Sequence, residues 1–119
     1  MTLREFYDHT GGDYEGVLSR VFDEGRIRKY LKMFKNDPCY EELERFLEQE
    51  DVEQAFRASH TLKGVCLNIG FIRLYNYADT ITEALRRKDL AQACENMPQL
   101  RASYREIIEA IDETCAEKL

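Results

Sequence analysis

The chain has 119 residues, 44% of them hydrophobic and 34% charged, with only 6 glycines and 2 prolines. That is the size and apolar content of one folded domain, and too few breakers for a disordered or turn-rich β chain. Seventeen basic against 23 acidic residues leave a net charge of −6, which argues against nucleic acid as a partner.

The N-terminus carries Leu3, Phe6 and Tyr7, a Gly11-Gly12 break, then Tyr14, Val17, Leu18, Val21 and Phe22. These stretches predict one or two short helices over residues 1–24, capping an end of the larger helical body formed by the rest of the chain. Ile27, Tyr30, Leu31 and Phe34 recur at i, i+3, i+4 and i+7 and so share a helix face. Asn36-Asp37-Pro38 breaks the stripe, with Asp37 as the next N-cap and Pro38 at the first helical position. The stripe of that helix runs through Cys39 or Tyr40, Leu43, Phe46 and Leu47.

Asp51 restarts the pattern, with Gln54 at the spacing of a capping box. Val52, Ala55, Phe56, Ser59, Leu62 and Cys66 line one side of this helix, and Asn68-Ile69-Gly70 is where it should stop. Phe71, Leu74, Ala78, Ile81 and Leu85 form the next stripe, ending in Arg86, Arg87 and Lys88, where the helix dipole favours cations. Asp89 and Gln92 repeat the capping spacing before Leu90, Ala93, Met97, Leu100, Tyr104, Ile107, Ile111 and Thr114. Pro98 interrupts this run with the register unchanged, which predicts a kink or a short break.

Nothing alternates with period two over strand length. The chain is therefore predicted to be all-α: an up-and-down antiparallel four-helix bundle over residues 25–117, preceded by the short N-terminal helices, in a single domain 1–119. No stretch approaches the roughly 18 uninterrupted apolar residues that cross a bilayer. Met1-Thr2-Leu3-Arg4-Glu5 lacks the apolar core of a signal peptide. The expectation is a cytoplasmic protein without membrane association, and a monomer, since the chain completes its own bundle. Cys39, Cys66, Cys94 and Cys115 offer no close pair for zinc. A reducing compartment predicts free thiols, with Cys66 and Cys94 buried on apolar helical positions.

One residue stands apart. At 100° per residue, His60 lies roughly 120° from the middle of the apolar stripe on the helix opened by Asp51, so its ring should reach water. Lys63 and Gly64, three and four residues on, are its surface neighbours. Glycine inside a helix costs about 1 kcal/mol against alanine, a cost that close approach by another molecule would explain. A neutral imidazole, with an ordinary pKa of about 6.5, is a competent nucleophile near neutral pH. If it accepts a phosphoryl group, Lys63 is placed to meet the new negative charge as a mobile cation.

Ala58-Ser59-His60-Thr61-Leu62-Lys63-Gly64 resembles the His-x-Leu-Lys-Gly signature of histidine-containing phosphotransfer (HPt) domains. Asp51, Ala55-Phe56, Asn68-Ile69-Gly70-Phe71 and the order of helices extend the resemblance over effectively the whole chain. The resemblance implies a stand-alone phosphocarrier of a two-component phosphorelay. His60 would accept the phosphoryl group on its outer ring nitrogen from a receiver aspartate and pass it to another receiver. Lys63 would sit beside the phosphohistidine, and Gly64 would leave room for the receiver domain of a hybrid sensor kinase or response regulator. Mg²⁺ belongs to the receiver, so no cofactor or metal is expected on this chain, nor an ATP site or enzyme activity of its own.

The residues add a docking face. Leu67, seven residues past His60, lies almost directly above it, and Arg57, three before, borders the same side; Phe56 and Phe71 are weaker candidates that could be core. A binding-only adaptor and a phosphate drain are the rival functions. His9 beside Asp8 lacks a nucleophile and reads as a surface histidine. The acidic run from Glu41 to Glu53 reads as a solvated helix face with its caps. Tyr75 and Tyr77 carry no assigned role.

Overall fold

The computed structural model describes residues 1–116, so the bundle end expected at residue 117 falls outside the described residues. Among the described residues there are eight helices and no strand. They are α1 (Leu3–Thr10), α2 (Tyr14–Val21), α3 (Glu24–Lys35), α4 (Cys39–Glu48), α5 (Val52–Ile69), α6 (Ile72–Arg86), α7 (Leu90–Glu95) and α8 (Met97–Ala116).

Local chemistry sets most of these boundaries. Asp13, Asp51 and Asp89 each accept a hydrogen bond from the backbone N–H three residues on, which starts α2, α5 and α7. The reciprocal arrangement, in which both side chains take part, forms at Thr2 and Glu5 ahead of α1. Asp37 Oδ1 accepts from Cys39 N at 2.9 Å, and α4 opens at Cys39, one residue later than the sequence anticipates, with Pro38 flanking the helix rather than opening it. Pro98 produces a break, not a kink: α7 ends at Glu95, Asn96 turns the chain, and Pro98 sits in the first turn of α8. There its missing N–H deprives no helical carbonyl.

The turns α4–α5, α5–α6 and α6–α7 are a few residues long, so consecutive helices run antiparallel and pack side by side. Helix α5 lies between α4 and α6. Helix α8 returns along α6 and closes against α4, where Tyr40 and Tyr104 stack at 3.7 Å between ring centroids, 8° from parallel. Glu44 and Arg101 form a two-pronged ion pair in the same seam, at 2.9 and 3.0 Å. The stripes read from sequence supply the core: Ile27, Leu31, Leu43, Ala55, Leu62, Cys66, Leu74, Ala78, Ile81, Leu100 and Ile107 are fully buried. Each large aliphatic side chain among them contributes about 1.5–3 kcal/mol by leaving water.

Helices α1 and α2 are fastened to the end of α5. Tyr7 Oη donates to the Ile69 carbonyl at 2.8 Å, Asp13 N to the Gly70 carbonyl at 2.9 Å, and Arg73 N to the Gly11 carbonyl at 3.1 Å. Burial pushes the Tyr7 hydroxyl well above its ordinary pKa, opposed by the positive charge of Arg20. Gly70 has φ +79°, and a Cβ there would meet Val17 Cγ2 at 2.2 Å, so the stop of α5 requires glycine twice over.

Three burial expectations fail. Tyr30 stands on the flank of its stripe and is exposed, while Ile27, Leu31 and Phe34 fill the core. Cys94 is exposed because the short α7 buries Ala93 instead; Cys39 and Cys66 are the buried thiols, and burial pushes both up in pKa. Phe22, placed with the N-terminal apolar stretch, ends α2 in a left-handed conformation with its ring in water.

Candidate functional site

His60 projects from the middle of α5, on the side turned away from the core, and is exposed as its helical angle predicts. Its ring lies nearly parallel to that of Phe56, 16° between planes and 5.9 Å between centroids. The Arg86 guanidinium covers Phe56 at 5.0 Å from the ring centre. Phe56 is thus half-buried, packed on the core and floored against the imidazole. It also lines a groove of about 650 Å³ between α5 and the end of α6, with Val52, Glu53, Leu85, Arg86 and Lys88.

Behind His60 the two helices are tied together. Ser59 and Thr82 are fully buried, and their hydroxyl oxygens lie 3.0 Å apart across the α5–α6 seam. Ser59 Oγ donates to the Phe56 carbonyl at 3.0 Å, and Thr82 Oγ1 also has the Ala78 carbonyl at 2.7 Å. Ser59 is legible in the sequence as a stripe position, but its partner is not. The bonds of α5 to its neighbours therefore fix the helix face that His60 occupies.

Around His60 the other expected residues separate. Gly64 faces open space: a Cβ built on it has no atom within 4 Å. The glycine is not demanded by any packing inside the chain, so a helix-packing role is excluded. Leu67 is 53% exposed, an isolated apolar side chain above His60. Its own carbonyl and that of Asn68 accept from the Arg20 guanidinium at 3.3 and 3.1 Å, a contact that secures the end of α5 and that spacing alone could not reveal. Arg57 is an exposed side chain 3.5 Å from Glu53 one turn back, a surface pair of small energetic weight.

Lys63 is not a free cation. Its side chain is 18% exposed, lies toward α6, and places Nζ 3.1 Å from Asp79 Oδ1. Asp79 belongs to the polar side of α6, and no motif or spacing in the sequence singles it out.

Phe71 leaves the docking face altogether. It is 1% exposed and packs edge-on against Phe34 at 4.9 Å, with Phe6 and Tyr7 at 6.0 and 6.1 Å. The first residue before α6 is where α1, α3 and α6 converge, so its ring is drawn inward. His9 lies on α1, 3.9 Å from Glu106 on α8, and Tyr75 and Tyr77 are half-buried on α6.

On the other flank of α5, a second groove of about 460 Å³ is lined by Tyr30, Met33, Phe34, Asp37, Val65, Asn68 and Ile69. The exposed strip of His60, Gly64 and Leu67 thus runs between two shallow grooves. Among the described residues, no cluster of three or more histidine, cysteine or acidic side chains could hold a metal ion, and no helix is long and apolar enough to cross a membrane.

No curated protein and no solved structure matches the chain. The family model for the Hpt domain matches residues 30–113, well over half of the chain, including the whole of α4, α5 and α6 and the exposed His60 between them. A helical bundle with one outward histidine on its central helix, matched by that family over this length, belongs to the Hpt domain family.

Proposed function

We propose that this chain is a histidine phosphocarrier of a two-component phosphorelay, moving a phosphoryl group between receiver-domain aspartates through His60. Hpt domains are phosphocarriers that interact with receiver domains, without catalytic sites of their own. What carries the specific reading is the strip around His60: an exposed imidazole, a glycine that no internal contact requires, and an apolar Leu67 in water beyond them.

In the forward step, the lone pair of His60 Nε2 attacks the phosphorus of the receiver's aspartyl phosphate. The N–P bond forms as the acyl O–P bond breaks, and that electron pair leaves with the receiver carboxylate. Nδ1 keeps its proton, so the phosphorylated ring is a cation and a good leaving group for the reverse attack by a second receiver. Lys63 meets the phosphoryl oxygens as a point charge. Gly64 and Leu67 admit the receiver, with Arg57 and Phe56 at the border. Mg²⁺ and the reacting aspartate arrive with the receiver, and the carrier works as a cytoplasmic monomer.

Incubation with a phosphorylated receiver should give an acid-labile, base-stable phosphoprotein, absent in His60→Gln. Label retained by His60→Gln overturns the assignment. Receiver binding without labelling would mark an adaptor. Phosphate release without labelling of a second receiver would mark a drain.

A further inference from the structure

The lysine three residues past His60 on α5 already has a partner. Lys63 crosses from α5 to α6 with most of its side chain covered, and its ammonium rests on Asp79 Oδ1 at 3.1 Å. Glu83, one turn further along α6, is engaged by Arg86 at 3.2 and 3.3 Å, which leaves Asp79 as the α6 carboxylate that holds Lys63. Asp79 itself is nearly half exposed, so the pair is weak enough for an arriving phosphoryl group to draw the ammonium away.

Resting on the phosphocarrier reading of His60, we propose that Asp79 is a positioning residue that competes with the phosphoryl group for Lys63. Two effects act in the same direction. The carboxylate retains the ammonium that would otherwise neutralise phosphate oxygens, and it adds a negative charge to their surroundings. Both make His60 hold phosphate less tightly. A carrier that must pass its group onward is kept from becoming a sink, and Lys63 is kept folded against α6 until phosphate arrives. The Lys63–Asp79 bond and a Lys63–phosphate bond are alternatives for one ammonium.

The test uses the whole protein and phosphoramidate, a small phosphoryl donor that needs no receiver. Donor, ammonia and phosphohistidine are brought to a steady ratio and read by ³¹P NMR for wild type, Asp79→Asn, Lys63→Met and the double variant. Asp79→Asn should shift the ratio toward phospho-His60 by about two- to fivefold, the range of a partly exposed ion pair. In the Lys63→Met background the shift should be clearly smaller, and Asp79→Glu should return the wild-type ratio. No shift, a shift away from phospho-His60, or an equal shift without Lys63 would each overturn the competition. Thermal melts of the Asp79 variants separate these results from unfolding. If wild type itself takes no label at His60, the carrier reading fails; if it does and Asp79→Asn changes nothing, only the role of Asp79 fails.

Discussion

Ser59 and Thr82 meet inside the α5–α6 seam with 3.0 Å between their oxygens, one residue before the histidine that the fold presents to water. Neither hydroxyl reaches solvent, and each has a second partner on its own helix, the Phe56 carbonyl for Ser59 and the Ala78 carbonyl for Thr82. The pair is a buried polar pin between α5 and α6, and it restrains the rotation of α5 about its axis.

Thr82→Val keeps the volume and removes the hydroxyl, leaving Ser59 Oγ with only its own helix. We expect a loss of about 1 kcal/mol, read as a lower Tm and a lower denaturant midpoint. Ser59→Ala should cost less, because Thr82 keeps its bond to Ala78. The double variant should fall short of the sum, since both changes remove one interaction. Phosphoramidate labelling of His60 should survive in all three.

The Glu44–Arg101 pair makes stability depend on pH. Hydrogen bonds from Arg101, at 2.9 and 3.0 Å, hold the Glu44 carboxyl below the ordinary glutamate range, helped by the Tyr40 hydroxyl at 2.6 Å and opposed by partial burial. A folded-state pKa below the unfolded one means that the contribution is full above the unfolded value of about 4.3. As pH falls past that value, the unfolded chain takes up a proton that the folded chain refuses, and stability declines until the folded pKa is passed. Arg101→Met should therefore cost about 1 kcal/mol at pH 7 and progressively less below about pH 4. Urea melts at several pH values check it; a loss independent of pH would assign Arg101 to packing alone.

Much of this is legible in the chain itself. The 3-and-4 spacing places Ile27, Leu31, Leu62, Cys66 and Leu74 in the core, Asp51 and Gly70 mark both ends of α5, and one angle puts His60 in water. What escapes depends on how helices rotate against one another. Asp79 reaches Lys63 only because α6 lies along one flank of α5, a tertiary fact with no periodic trace. Phe71 sits at the edge between stripe and surface, and the convergence of Phe6, Tyr7 and Phe34 on it decides the matter. Tyr30 and Cys94 occupy the flanks of their stripes, where burial turns on the neighbouring helix and not on the pattern.

Phe56 gives the imidazole its ring contact, so it should act on His60 through orientation. Phe56→Leu removes the near-parallel stack and the surface on which Arg86 rests. The expected loss of stability is about 1 kcal/mol, and the phosphoramidate labelling rate should fall about two- to fivefold as the ring gains rotamer freedom. Arg86→Met should leave that rate near wild type, because Phe56 remains packed on the core. A labelling rate unchanged in Phe56→Leu would reduce Phe56 to a core residue.

Gly64 separates the needs of the isolated protein from those of the complex. Nothing lies within 4 Å of a Cβ at this position, and the residue is in the middle of a helix. Gly64→Ala should therefore stabilise the free protein by about 0.5–1 kcal/mol, raising Tm by several degrees. Phosphoramidate, small enough to reach His60 past a methyl group, should label the variant at the wild-type rate. A receiver has to bring its aspartyl phosphate into line over this same patch, and displacement on the order of 1 Å can cost up to about a hundredfold in rate. Receiver-dependent labelling should thus fall at least tenfold while stability rises, and Leu67→Ala should weaken receiver binding with Tm nearly unchanged. Undiminished receiver-dependent transfer in Gly64→Ala would place the docking surface elsewhere on the bundle.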